Sequence, residues 1–407
     1  MRMKELGITQ EQVIEKTKKY MMEFTDRLDF VCDHAKGMYM YDAEGKAYLD
    51  FFAGIAVNGA GSCNDRVVKA VQDQAGDLMH ASAYIYTAPQ ALLAEKVCTT
   101  VGFDKVFFQN SGTAANEAMI KLARKYGIDT KGENDWKIVT AYKSFHGRTF
   151  GAMAATGQPD NACQMGFGPM IQGFSYADFN DLDSFRDAVD EDTIAIMVEP
   201  VQGEGGVYPA DPAFLQGLRD LCDEKGLLLL FDEVQTGWCR TGDVMAFMGY
   251  GVKPDAFTMA KALGGGVPIG AVCATEELAR HFTPGSHGST FGGNALVCAA
   301  ALAEIEELLE KDLAANAKEV GPYLMDQLRT LPHIKEVRGR GLLVGAEFDE
   351  SISSAALKHQ CFDNQLLTTS VGQHIIRLLP PLIVTKEDCD QAVAIMRKSV
   401  EELAARG

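Results

Sequence analysis

Positive charge is scarce in this chain of 407 residues: 38 Lys and Arg face 56 Asp and Glu, a formal net charge of −18. Nucleic acid and anionic membranes are bound through a basic footprint, and this balance argues against both as partners. Long apolar runs are also missing. The longest candidate, LLLLF at 227–231, is far short of the roughly 20 apolar residues of a membrane span and reads as a buried strand. The opening MRMKELGITQEQ has no apolar core of a secretory signal, so no leader is expected there. Ten cysteines are present, yet no two form a C-x-x-C pair, which removes the sequence support for a zinc site or a redox dithiol. Reduced, mostly buried thiols and a cytoplasmic location are the expectation. There is no low-complexity linker and no short-period repeat. Neither G-x-G-x-x-G nor G-x-x-x-x-G-K-[ST] occurs where it would matter, so nicotinamide dehydrogenase and P-loop readings lack their fingerprint.

What is present is an ordinary globular composition, 47% hydrophobic and 23% charged. The length suits two domains. Thr9-x-x-Gln12 predicts a capping box opening an amphipathic helix with Val13, Ile14, Tyr20, Met21 and Phe24. Residues 38–41 and 47–51 around Asp42-Ala43-Glu44-Gly45 predict a hairpin. Short apolar runs at 106–108, 138–141, 194–198, 227–231, 256–259 and 269–274 alternate with helical stretches, the pattern of a mostly parallel α/β sheet. One long helix is expected from 295 to about 330, then strand pieces at 337–344 and 375–379, then a helix from Lys386.

Position carries the most information. Glu199 follows IAIMV, Asp232 follows LLLLF and Lys261 follows AFTMA; they are 33 and 29 residues apart, near the length of a βαβ unit. Open α/β sheets bind ligands beyond the carboxyl ends of their strands, so the three should converge on one crevice. A single charged residue leaving a strand is ordinarily just solvated. Three at matched positions, each leading into a Gly- or Pro-containing turn, are not explained that way. A lysine at a buried strand end suits a Schiff base, and a nearby carboxylate suits a protonated pyridine nitrogen, the demands of pyridoxal phosphate (PLP) chemistry; a structural ion pair is the alternative. Ser111-Gly112-Thr113 opens a helix after the strand at 106–110, which fits a phosphate site as well as a plain N-cap. Phe145, in SFHGRT at 144–149, could stack on a flat ring, and Arg148 could grip a carboxylate. His146 lacks a nucleophile to serve and reads as structural or as a neighbour of the ring.

With these residues in place the chain resembles the class III, or ω-amino acid, aminotransferases of fold type I over nearly its whole length. The motifs are NSGTAANEAMIKLAR (110–124), SFHGRT (144–149), EPVQGEGG (199–206), FDEVQTG (231–237), AKALGGGVPIG (260–270), GSTFGGN (288–294) and RLLPPLIVT (377–385). The resemblance implies a large PLP-binding α/β domain, 62–300, with a mostly parallel seven-stranded sheet, and a smaller α+β domain from 1–61 and 301–407. It implies Lys261 as the catalytic lysine that links to PLP and shuttles the proton. Asp232 would hold the pyridine nitrogen, Val234 and Phe145 the two ring faces, and Gln235 the region near the ring hydroxyl. Ser111, Gly112 and Thr113 would hold the phosphate, with Thr290 supplied by the other subunit of a homodimer that shares its active sites. Arg148 and Ser289 would contact the ω-amino substrate and Arg377 the α-carboxylate of 2-oxoglutarate or glutamate, with Glu204 neutralising Arg377 in turn. No metal is implied.

Within the family the length, FFAGIAVN (51–58) and RLLPPLIVT most resemble the members that move the δ-amine of N2-acetyl-L-ornithine to 2-oxoglutarate, a step of arginine biosynthesis with ping-pong kinetics. Relatives acting on 4-aminobutyrate, ornithine or succinyl-diaminopimelate, an aminomutase, and a catalytically silent PLP-binding regulator are the alternatives. The intact Lys261 and Asp232 disfavour the last. Gly61-Ser62-Cys63-Asn64-Asp65 and Ala83 depart from the family pattern near the substrate end. Cys239 stands where glycine is common, and Ile55 stands where ornithine-specific members carry tyrosine.

Overall fold

The computed structural model describes residues 2–406. Its centre is a seven-stranded sheet: β1 (Lys105–Gln109), β2 (Lys137–Ala141), β3 (Phe174–Ala177), β4 (Thr193–Val198), β5 (Leu228–Asp232), β6 (Ala256–Met259) and β7 (Gly270–Ala274). The spatial order is β1-β7-β6-β5-β4-β2-β3. All neighbours are parallel except β7, which runs antiparallel to both β6 and β1. The mostly parallel seven-stranded sheet is thus as expected. Strand β3 has no counterpart among the apolar runs, because FSYA carries little apolar signal and is only partly buried at three of its four positions.

Both faces of the sheet are covered, which is why its strands read as unbroken apolar runs. Every residue of β4, β5, β6 and β7 is buried. Alternation still operates beneath the uniform apolarity. Ile196, Val198, Leu229, Phe231, Phe257 and Met259 enter one core, while Ala195, Met197, Leu228, Leu230 and Ala256 enter the other. Helix α1 (Gly112–Thr130) packs on the second face through Ala115, Ala118, Met119 and Leu122.

The expected hairpin forms between Tyr39–Tyr41 and Ala47–Asp50. Its second strand pairs in parallel with Leu366–Leu367, so the two ends of the chain meet in one sheet. A further sheet contains Ile334–Arg340, Leu343–Phe348, Ile375–Leu378 and Thr369–Val371, all antiparallel. The expected strand piece at 337–344 is therefore the turn and flanks of a hairpin. The single long helix after 295 is two helices, α2 (Ala295–Glu310) and α3 (Leu313–Leu328). Asp312 breaks them with φ of 48°, and its carboxylate accepts from the Ala315 amide to start α3. The chain closes with α4 (Lys386–Ala404).

Thr9 and Gln12 do form the reciprocal capping box. That helix, however, stops at Tyr20 and buries none of its residues, and Tyr20, Met21 and Phe24 are exposed. Its amphipathic face is therefore not a core face of this chain. Among the described residues no helix is long and apolar enough to cross a membrane, and no cluster of His, Cys, Asp and Glu could hold a metal ion.

Candidate active site

Strands β4, β5 and β6 lie side by side in parallel, with Phe231 opposite Val198 and Asp232 opposite Thr258. Their carboxyl ends therefore deliver Glu199, Asp232 and Lys261 to one edge. The cavity there has a volume of about 480 Å³ and is lined by Ser111, Gly112, Thr113, Phe145, His146, Arg148, Asp232, Val234, Gln235 and Lys261 among others.

Lys261 begins a short 3₁₀ turn with φ of 47°, a left-handed geometry that a non-glycine residue adopts only under constraint. Burial pushes its ammonium down to about 8; the Arg377 charge acts in the same direction, and Glu204, Asp232 and Glu199 oppose both. A useful fraction of neutral amine is therefore present near neutral pH, as a nucleophile and base require.

Asp232 is held from several sides. Asn116 Nδ2 donates to its Oδ2 at 2.7 Å, His146 Nδ1 lies 2.8 Å from the same oxygen, and the Val234 amide donates to Oδ1 at 3.0 Å. Thr258 Oγ1 donates to Asn116 Oδ1 at 2.7 Å and fixes the amide. His146 is buried, and its Nε2 has no partner among the described residues. Burial, together with the charge of Asp232, pushes the Glu199 carboxyl well above its usual range; its Oε2 accepts from the Phe145 amide at 3.1 Å.

At the opposite end, Ser111 caps α1, its Oγ accepting from the Ala114 amide at 3.2 Å. The amides of Gly112 and Thr113 in the first turn have no intrahelical acceptor and carry the positive end of the helix dipole. Thr113 Oγ1 contacts Thr149 Oγ1 at 3.0 Å and accepts from the Arg148 amide at 3.1 Å. Gly112 is a glycine for a steric reason. A Cβ there would stand 2.7 Å from Val234 Cγ1.

Beyond Gln235, Arg377 is buried and donates from Nη1 to Glu204 Oε1 at 2.6 Å and to Gln235 Oε1 at 3.1 Å. Its Nε donates to Thr369 Oγ1 at 3.3 Å. Burial works against the Glu204 charge, but Arg377 and Lys261 outweigh it and hold the carboxyl below its ordinary value. Arg148 is exposed and stands over the Phe145 ring at 5.5 Å. Ser289 and Thr290 do not line this cavity. They line two surface recesses beside Ala83, Thr87 and Gln90.

Asn116 and Thr258 were not singled out in the sequence, although a polar residue on the inner face of an otherwise apolar helix and a threonine inside AFTM were visible hints. Together the residues fit PLP. Lys261, with its lowered pKa, and the fixed Asp232 carboxylate line one cavity, Gly112 leaves room beside Val234, and the free amides at the start of α1 suit a phosphate.

The family model for "Aminotransferase class-III" matches residues 20–400. The chain belongs to the class III aminotransferase family and is a PLP-dependent transaminase. Among its relatives, it is 45% identical to the acetylornithine aminotransferase of Methanocaldococcus jannaschii, over 97% of this chain and 100% of that one. It is 43% identical to the acetylornithine aminotransferase of Bacillus subtilis, over 93% and 97%. Among solved structures, an ornithine aminotransferase from Toxoplasma gondii superposes with a TM-score of 0.93 at 32% identity, covering 98% and 96%. The acetylornithine aminotransferase from Elizabethkingia anophelis superposes with a TM-score of 0.86 at 32% identity, covering 97% and 99%.

Proposed function

We propose that this transaminase moves the δ-amino group of N2-acetyl-L-ornithine to 2-oxoglutarate, giving N-acetylglutamate semialdehyde and glutamate in arginine biosynthesis. The observation that carries the reading is a pair of arginines: Arg148 lines the Lys261 cavity, exposed and over the Phe145 ring, and Arg377 is buried, ion-paired with Glu204 and bonded to Gln235 of that cavity. The acetylornithine aminotransferases among the relatives support the choice of donor.

Bound PLP supplies an aldehyde that takes the amine and a conjugated ring that accepts the electron pair left on the substrate carbon. Lys261 Nζ removes the proton from the amine-bearing carbon. Asp232, locked by Asn116 and His146, would offer its carboxylate to the ring nitrogen and keep a proton on it. Val234 and Phe145 would hold the ring, Gln235 would lie near its hydroxyl, and Ser111, Gly112 and Thr113 would hold the phosphate.

Arg148 grips the donor's carboxylate, which lies four carbons from the amine. During that half-reaction Glu204 occupies Arg377, because a buried arginine left unpaired is costly. In the second half-reaction the α-carboxylate of 2-oxoglutarate displaces Glu204 and binds Arg377 by a two-point contact. One pocket thus accepts a reacting carbon with or without a carboxylate.

We also propose a homodimer with shared sites, in which Thr290 reaches the partner's phosphate and Ser289 its substrate. Their position away from this chain's own cavity supports it, as do the neighbouring side chains of Tyr84, Tyr86 and Phe291, which are 97%, 103% and 60% exposed. We assign residues 62–300 to the cofactor-binding domain, 1–61 with 301–407 to the smaller one, and the protein to the cytoplasm. The deciding experiment is an amino-donor panel with 2-oxoglutarate. Acetylornithine should exceed ornithine, 4-aminobutyrate and succinyl-diaminopimelate in kcat/KM, and another donor in first place would replace it.

A further inference from the structure

The loop that follows Asp232 makes a second contact, fully buried, with the strands that carry Arg377. Arg240 has no exposed surface. Its Nη1 donates to the carbonyl of Leu342 at 3.0 Å and to the carbonyl of Pro380 at 2.6 Å. The Leu342 amide donates back to the Arg240 carbonyl at 2.9 Å. Leu342 immediately precedes the strand Leu343–Phe348, and Pro380 lies just beyond Ile375–Leu378. These two strands pair with Val344 opposite Leu378 and Gly345 opposite Arg377. One guanidinium nitrogen therefore ties both strands together at the end of the ladder nearest Arg377. The backbones also touch: Gly341 has φ of +56°, and a Cβ there would stand 2.6 Å from the Arg240 carbonyl oxygen.

Stability alone does not account for an arginine here. Among the described residues its Nε and Nη2 have no partner, and neither does Oδ2 of the buried Asp50. A buried charge so incompletely satisfied carries a desolvation cost that an apolar side chain of similar length would avoid. What such a side chain could not do is fix two carbonyls from different strands at one nitrogen. The loop that is fixed in this way also carries Gln235, whose Oε1 accepts from the same Arg377 Nη1 that donates to Glu204.

We infer that Arg240 is a positioning residue for the acceptor half-reaction, holding the Arg377 strand in register with the Asp232–Gln235 loop so that Arg377 meets the incoming carboxylate correctly. This rests on the reading of Arg377 as the acceptor-carboxylate site. Small misplacements at such contacts have large kinetic effects.

The test uses the holoenzyme and the variants Arg240→Met, Arg240→Lys and Arg377→Gln. Glutarate, an inert dicarboxylate, is titrated calorimetrically, and each half-reaction is followed in single turnover. Arg240→Met should weaken glutarate and raise the KM for 2-oxoglutarate by about tenfold, leaving the acetylornithine half-reaction within about twofold. Arg240→Lys keeps the charge and one donor group, and should fall between Met and wild type. If Arg240→Met does not fold, the Lys variant decides by the same split between half-reactions. Equal loss in both half-reactions would reduce Arg240 to a structural residue and overturn the inference, as would no change in either. If Arg377→Gln loses glutarate while both Arg240 variants keep it, the inference alone fails. If Arg377→Gln keeps glutarate, the reading of Arg377 itself fails.

Discussion

Arg377 Nη1 donates to Glu204 Oε1 at 2.6 Å while Gln235 Oε1 takes a second contact from the same nitrogen at 3.1 Å. Arg377 is buried at 2% side-chain exposure and Glu204 is not, at 31%. The carboxylate is the member free to swing away, and the arginine is the fixed receptor.

Glu204→Gln removes the competing charge and leaves Arg377 permanently available. The kcat/KM for glutamate as donor should rise about tenfold relative to acetylornithine, a change of ~1.4 kcal/mol in discrimination. Steady-state kinetics with both donors measures this ratio; an unchanged ratio would remove Glu204 from the switch.

The lowered pKa of Lys261, about 8, gives a signed pH dependence. The neutral amine attacks the cofactor aldehyde, so it gains reactivity as pH rises. The rate at which apoenzyme takes up PLP should climb about tenfold per pH unit below that value and level off above it. Stopped-flow absorbance reports it. Lys261→Ala should still bind PLP but lose transamination by about 10⁴-fold or more, which steady-state assays measure.

Arg148→Ala should raise the KM for carboxylate-bearing ω-amines by one to two orders of magnitude while sparing simple alkyl amines. The comparison needs both donor types on one enzyme preparation. Equal effects would place Arg148 outside the substrate site.

Gly112→Ala puts a Cβ 2.7 Å from Val234 Cγ1 in the slot assigned to the ring and phosphate. Overpacking of this kind costs about 1–3 kcal/mol and should appear as a lower melting temperature and weaker PLP retention. Adding Val234→Ala should restore part of the melting temperature, which separates the clash from a general loss of the loop.

Shared sites predict complementation. Mixed subunits carrying Lys261→Ala and Thr290→Arg, each inactive alone, should regain about a quarter of wild-type activity, because half of the dimers contain one intact site of two. No recovery would place Thr290 outside the partner's site.

Much of this molecule was legible in the chain. The runs IAIMV, LLLLF and AFTMA had to be covered on both faces, and their parallel packing brings Glu199, Asp232 and Lys261 to one edge because each residue ends its strand. The motif order was enough to expect class III chemistry. The sequence could not give contacts between residues with no periodic relation. His146 and Asn116 meet on Asp232, from a loop and a helix. Local pattern also misjudged the stretch after 295, where Asp312 in a left-handed conformation interrupts an apolar run that periodicity alone carries through. The exposed Tyr20 and Phe24 show the same limit, since an apolar face in sequence does not say what it packs against.

What the sequence determined by itself was the alphabet of the site: a lysine, a carboxylate, a small-residue helix start and two arginines, since chemistry depends on residue type. What only the tertiary structure decided was their coupling. Arg377 and Glu204 are 173 residues apart along the chain, and Arg240 is 140 from Pro380. Such pairings are fixed by sheet register and by the burial of charge, which leaves a buried guanidinium few acceptors within reach.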